Sequence, residues 1–108
     1  MHFSIFSDAS GRVLVYDMYT GMTGTVCSKY WDDVDATVMC RHSGHYYYYD
    51  NGTAITLPKN ETVPRMVYGV HCQGWELSLT ECKLNIYYGT ECDTMDDAAY
   101  VCGNIGKD

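Results

Sequence analysis

Cys72-Gln73-Gly74-Trp75-Glu76-Leu77-Ser78-Leu79-Thr80-Glu81-Cys82 is the stretch on which the reading of this chain turns. The ten-residue step from Cys72 to Cys82 repeats at Cys92 and Cys102, and Cys27 and Cys40 upstream bring the total to six. No two cysteines have the close C-x-x-C pairing from which structural zinc sites usually take their ligands. An even number of well-separated cysteines in 108 residues argues instead for three disulfides and an oxidising, extracellular setting. Spacing alone does not choose among the possible pairings.

The length fits one domain. A chain this size hides only roughly 60–70% of the surface its unfolded form exposes, so the core is modest. Each crosslink then matters, at about 2–4 kcal/mol. There are 14 carboxylates against 7 Lys and Arg, which argues against a nucleic-acid partner, since phosphate contacts need a basic surface. The seven cations, Arg12, Lys29, Arg41, Lys59, Arg65, Lys83 and Lys107, are scattered and read as dispersed solubilising charge.

No apolar run reaches roughly 18 residues, so nothing in the chain is expected to span a membrane. Met1-His2-Phe3-Ser4 lacks the basic start and long apolar stretch of a secretory signal. Export therefore implies a removed signal, or one module of a longer protein. The Gly-Lys-Asp ending carries no prenylation or GPI signal.

Gly11-Arg12-Val13-Leu14-Val15-Tyr16 alternates with period two and is rich in β-formers, and Gly24-Thr25-Val26-Cys27 fits its partner across a turn at Thr20-Gly21-Met22. Asp32, Asp33 and Asp35 precede Ala36, Val38, Met39 and Cys40 at helical spacing, which predicts a helix over 33–43 capped by Asp and stopped by Gly44. His45-Tyr46-Tyr47-Tyr48-Tyr49 ends in the turn signal Asp50-Asn51-Gly52. Residues 53–57 and 66–72 read as strands, 76–81 as a short helical turn, and 98–102 as a closing strand. Leu77, Leu79 and Leu84 are the aliphatic core candidates of the cysteine-dense half.

Two N-glycosylation sequons lie in polar, turn-rich sequence: Asn51-Gly52-Thr53 and Asn60-Glu61-Thr62. The chain has no Gly-x-Ser-x-Gly elbow, P-loop or His-Glu-x-x-His helix. With every cysteine assigned to a bridge, no thiol nucleophile remains, and an enzyme is not expected.

Gly11-Arg12-Val13, Val15-Tyr16, Gly24-Thr25-Val26-Cys27, Trp31-Asp32, Asp35-Ala36, Val38, Cys40-Arg41 and Gly44 occur in order. They are followed by Cys72-x-Gly74-x-Glu76-x-Ser78-Leu79-x-x-Cys82, Gly89-x-x-Cys92, Asp97-Ala98 and Val101-Cys102. This sequence of motifs resembles the scavenger receptor cysteine-rich domain, in its six-cysteine subgroup (group A), over residues 4–103 as a single domain. The resemblance implies the pairs Cys27–Cys92, Cys40–Cys102 and Cys72–Cys82. It also implies an α+β fold in which a curved antiparallel sheet cradles one main helix.

The resemblance further implies an extracellular binding module, secreted or part of a cell-surface ectodomain, that takes protein or glycan ligands in innate recognition or adhesion. The alternative is a structural or assembly module of a matrix, filament or secreted complex, with neighbouring domains or self-association. Many members hold calcium through an acidic pair after the position of Cys27 and a later acid. Here the pair is Ser28-Lys29, and only Asp96 is retained. A second cation position falls on Tyr68 and Gly69. Calcium wants six to eight oxygens, and an ammonium among them repels it. The family metal site is therefore expected to be lost, no cofactor is expected, and Lys29 is expected to pair with Asp96 instead. The acid groups Asp93, Asp96, Asp97 and Asp32, Asp33, Asp35 offer calcium other places, against the reading that they cap a helix or face solvent.

Polyanion capture, common in class A scavenger receptors, needs an arginine-rich face, which three arginines and a net charge of −7 do not suggest. His42, His45 and His71 offer a zinc or copper alternative against independent surface roles. Tyrosine is abundant, at 11 residues. It gives large contact area at low side-chain entropy cost. Tyr46, Tyr47, Tyr48 and Tyr49, with Tyr87 and Tyr88, are candidates for a ligand-binding surface rather than core.

Overall fold

The computed structural model describes residues 2–43, 51–87, 92 and 95–103. The alternating stretch at 13–17 is a strand, β2 (Val13–Asp17). Val13 and Val15 are buried, and Tyr16 faces out. It pairs antiparallel with β1 (Phe3–Ser7) on one side and with β3 (Thr23–Val26) on the other. The turn between β2 and β3 closes on the buried Asp17, whose carboxylate accepts the Tyr19 N–H at 2.9 Å.

Helix α1 (Asp33–His42) starts where the acidic cluster predicts. Asp32 is the N-cap, and its side chain accepts the Asp35 N–H while the Asp35 side chain accepts the Asp32 N–H, each at 3.1 Å. This reciprocal box satisfies two backbone donors that the first turn would otherwise leave open. Ala36, Val38, Met39 and Cys40 form the buried face.

The second half adds β4 (Gly52–Leu57), β5 (Arg65–His71), a 3-10 turn at Leu79–Glu81, β6 (Lys83–Ile86) and β7 (Asp97–Cys102). The main sheet has the order β1-β2-β3-β5-β6, and β4 pairs antiparallel with β7 in a second, two-stranded sheet. One pairing departs from the antiparallel expectation: β3 and β5 run parallel, with Thr25 opposite Arg65 and Val26 opposite Val67. The sheet is therefore mixed. Parallel neighbours need a long crossover, and here it consists of α1 and β4.

The helix lies against the β4–β7 pair. A Cβ on Gly52 would meet the Ala36 carbonyl carbon at 2.4 Å, so strand and helix approach as closely as they do only because residue 52 has no side chain. The core between the layers is built from Ile5, Val13, Val15, Val26, Trp31, Met39, Met66, Val67, Val70, Leu79, Ala98 and Tyr100. The Trp31 Nε1–H is satisfied by the Ala99 carbonyl at 2.8 Å.

The disulfides join Cys27 to Cys92, Cys40 to Cys102 and Cys72 to Cys82, the pairs that the resemblance implies. The first two close loops of 65 and 62 residues, and the third a loop of 10. In the chain-entropy account a long closure contributes about 4 kcal/mol and the short one about 3. Cys40–Cys102 ties the helix to β7, as its place on the buried helical face requires.

Candidate functional site

The three arginines depart from the reading of dispersed solubilising charge, because each is held within the fold. Arg12 Nε donates to Asp97 Oδ2 at 3.0 Å, and Arg65 Nη2 donates to Asp97 Oδ1 at 2.9 Å. Asp97 is fully buried, and Arg65 nearly so. Arg12 also reaches Asp8 at 3.2 Å and the Pro58 carbonyl at 3.1 Å, while Arg65 Nε donates to Thr25 Oγ1. Arg41 Nη1 donates to the carbonyls of Gly74 (2.6 Å) and Glu76 (2.9 Å). Burying a guanidinium is costly unless it is paired, and this pairing removes the arginines from any polyanion-binding face.

At the family cation position, the Ser28 N–H donates to the Asp96 backbone carbonyl at 3.1 Å, so the two segments do meet. The Lys29 ammonium lies 5.3 Å from the centre of the Tyr30 ring. Asp96 is exposed, and Asp97, next to it, is consumed by the two arginines. At the second position Gly69 is buried against Asn85, His71 and Tyr30. Of the other acid group, Asp32 and Asp35 cap the helix, and Asp33 accepts the Ala54 N–H at 2.8 Å. Asp93 lies outside the described residues.

His42 has both ring nitrogens engaged. The Leu79 N–H can only donate, so Nδ1 accepts it (3.3 Å) along with the Ser78 hydroxyl (2.9 Å). The Ile5 carbonyl can only accept, so Nε2 carries the proton that binds it at 2.8 Å. This tautomer leaves no lone pair for a metal. His71 packs near the Tyr30 ring, with centroids 5.3 Å apart, and His45 lies outside the described residues. Cys72, Glu76 and Cys82 bring three potential ligand atoms within 4.8 Å of one another, yet both sulfurs are spent in the disulfide.

Of the tyrosine candidates, Tyr46, Tyr47, Tyr48, Tyr49 and Tyr88 lie outside the described residues. Tyr87 is half-exposed, and its hydroxyl donates to the Asp17 carboxylate. That bond holds the Asp17 carboxyl below its usual range and pushes the Tyr87 phenol up. Tyr87 thus offers a ring face but not a free hydroxyl. Met18, Tyr19 and Met22, exposed on the adjoining turn, extend this surface.

The Cys72–Cys82 loop displays a pair of residues that the sequence reading missed. Leu77, taken there as core, is 69% exposed, and Trp75 is 70% exposed, on either side of the buried Glu76. The Glu76 carboxylate turns inward and accepts the Gln73 and Gly74 N–H groups, each at 2.9 Å. Burial alone pushes that carboxyl up, but these donors and the nearby Arg41 bring it below its usual range. Arg41 grips the Gly74 and Glu76 carbonyls from the helix, and Glu81 accepts the Leu77 N–H at 3.3 Å. Ser78 caps the 3-10 turn. Val34, half-exposed at the helix start, lies beside Gly74, where an added Cβ would be 3.7 Å from its Cγ1.

The backbone of this loop is thus fixed by a disulfide and by side-chain bonds from within, while two large apolar side chains point out. The alternation Trp75, Glu76, Leu77 is the signal that a closer reading of the sequence would have used. A small α+β scaffold stapled by three disulfides and displaying apolar side chains on a fixed loop backbone is the form of a recognition module. A family model for the scavenger receptor cysteine-rich domain matches residues 6–103, and the chain belongs to that family.

The chain is 36% identical over 97 residues to galectin-3-binding protein of Pongo abelii, covering 87% of this chain and 16% of that protein. Among solved structures, it is similar to the scavenger receptor cysteine-rich domain of mouse MARCO in its dimeric form. The identity there is 29% and the TM-score 0.66, with 94% of this chain and 88% of that one covered. It is also similar to the third such domain of murine neurotrypsin, at 27% identity and TM-score 0.68, covering 95% and 98%. Domains of this family are extracellular or ectodomain recognition modules. Among the described residues, no helix is long and apolar enough to cross a membrane.

Proposed function

We propose that this chain binds an extracellular protein or glycan through the face that presents Trp75 and Leu77, and that it does so without catalysis. The observation that carries this reading is a pair of large apolar side chains, about seven-tenths exposed, on a loop whose backbone groups are engaged inward. Binding energy concentrates in a few residues, tryptophan foremost, and a preorganised anchor loses little entropy on docking. All six cysteines are in disulfides, so no thiol is left for covalent chemistry. The acidic balance and the internal pairing of the arginines favour a protein or neutral glycan over a polyanion.

The test is a screen of immobilised extracellular proteins and glycans with the wild type and the Trp75→Ala and Leu77→Ala variants. A ligand held by the wild type and lost by both variants, with folding unchanged, supports the proposal. Full retention of every ligand by the double variant would overturn it, as would retention on heparin at physiological salt.

The assembly alternative has its own support in the exposed Met18, Tyr19 and Met22 beside Tyr87, and in the dimeric form described for the MARCO domain. Sedimentation separates the two readings. A monomer that binds the screened ligand fits recognition, and self-association lost on changing Tyr19 or the Tyr46–Tyr49 run fits assembly.

A further inference from the structure

The two sequons are held in different ways, and we infer from the geometry that Asn60 is the principal site of N-glycosylation, with occupancy above that of Asn51. Asn60 Oδ1 accepts the Thr62 N–H at 2.8 Å and the Thr62 hydroxyl at 2.7 Å. A backbone N–H only donates, so the oxygen must face Thr62, and the orientation of the carboxamide is fixed. Nδ2 then turns away from the turn. It has no hydrogen bond among the described residues and is not a buried atom, since Arg65 Nη1 alone is both buried and unpartnered there.

The turn is anchored from below and open above. The Asn60 N–H donates to Asp97 Oδ2 at 3.0 Å, and Arg12 holds the Pro58 carbonyl at 3.1 Å. The tip, at Glu61 and Thr62, is exposed. Thr62 is also only two residues from Asn60, so this bent arrangement can form in the nascent chain before any tertiary contact exists.

The Asn51 sequon is built into a ladder instead. Gly52 pairs with Cys102 and Thr53 with Val101, and the Gly103 N–H donates to the Asn51 carbonyl at 3.1 Å. Gly52 N–H is bonded to Thr37 Oγ1 at 2.9 Å, and its Cα lies flat on the helix. Once the chain has folded, a transferase would have to lift residues 51–53 out of a strand pair that Cys40–Cys102 locks in place, so that Asn51 is open to modification only before folding.

The acceptor atom is Asn60 Nδ2, and the donor class is a polyprenyl-pyrophosphate-linked oligosaccharide of a eukaryotic secretory route. Nδ2 loses one proton and forms a bond to the sugar anomeric carbon. The anomeric C–O bond to pyrophosphate breaks, and the polyprenyl pyrophosphate leaves. No oxidation or reduction occurs.

The test is secretion of the chain from a eukaryotic host, followed by peptide-N-glycosidase release in heavy-oxygen water and peptide mass mapping. The enzyme converts each glycosylated Asn to a labelled Asp, so occupancy is read at both positions of the unaltered protein. The expected result is a higher labelled fraction at 60 than at 51. Asn60→Gln and Thr62→Val should remove most of the releasable mass, and Asn51→Gln little of it. Equal or greater labelling at 51, or a secreted protein with no releasable mass, would overturn the inference.

Discussion

The Asp35 carboxylate accepts the Cys72 N–H at 3.0 Å, which fastens the first turn of the helix to the head of the loop that displays Trp75. The other oxygen of that carboxylate completes the capping box with Asp32. One buried group therefore orients both the helix start and the candidate binding loop.

Stability should accordingly peak in mild acid. Burial pushes the Asp35 carboxyl up from 3.8 to about 7, against the pull of the Cys72 and Asp32 N–H donors, and the Asp32 carboxylate beside it adds to the rise. The folded protein holds this proton more tightly than the unfolded chain does. Its contribution is full below pH 3.8 and is lost as pH rises toward about 7. Asp8, Asp17 and Glu76 have the opposite sign, because their folded values are lowered. What they contribute is lost as pH falls below the ordinary carboxylate range. Urea midpoints should be higher near about pH 5 than near about pH 7.5, and Asp35→Asn should flatten that limb. A midpoint climbing steadily across the same interval would contradict the assignment.

Asp97→Ala should cost about 3–5 kcal/mol by chemical denaturation, since it leaves the Arg65 guanidinium buried without its counter-charge. Arg65 Nη1 is already the one buried side-chain nitrogen or oxygen without a partner among the described residues, so no spare acceptor is at hand. A loss below about 1 kcal/mol, the range of exposed pairs, would show that water reaches the cluster.

Two leucines that look alike in sequence should behave differently. Leu79→Ala, at a fully buried position, should cost about 2–5 kcal/mol. Leu77→Ala and Trp75→Ala should change stability by no more than about 0.5 kcal/mol while weakening ligand capture. Thermal melts of the three variants beside one binding assay distinguish core from contact surface.

Gly52→Ala should destabilise by about 1–3 kcal/mol, the usual cost of overpacking, because the new methyl meets the Ala36 backbone. Amide exchange should quicken first in β4 and the adjoining helical turn. Unchanged protection there would place the strand farther from the helix than the structure has it.

Calcium should not raise the melting temperature. Lys29 stands where the family resemblance expects an acid, and Asp97 is taken by two guanidinium groups. Calorimetry that found tight calcium binding, abolished by Asp96→Asn, would restore the family cation site.

The local grammar of the chain was legible without coordinates. Alternation at 13–17, the Asp32–Asp35 start of the helix and strands read at 53–57, 66–72 and 98–102, each within one residue of those observed, follow from side-chain periodicity, β-propensity and capping, which act over a few residues. The tertiary structure decided the rest. β1 and β6 lie at the two edges of the main sheet, and each was recognised only once its partner strand was in place. The destinations of Arg12 and Arg65 depend on Asp97, 85 and 32 residues away. Leu77 faces solvent because Glu76, beside it, turns its carboxylate inward and Arg41 reaches across from the helix to hold the Glu76 carbonyl. Such outcomes turn on desolvation and pairing between distant segments, and a linear pattern carries no record of which segments will meet.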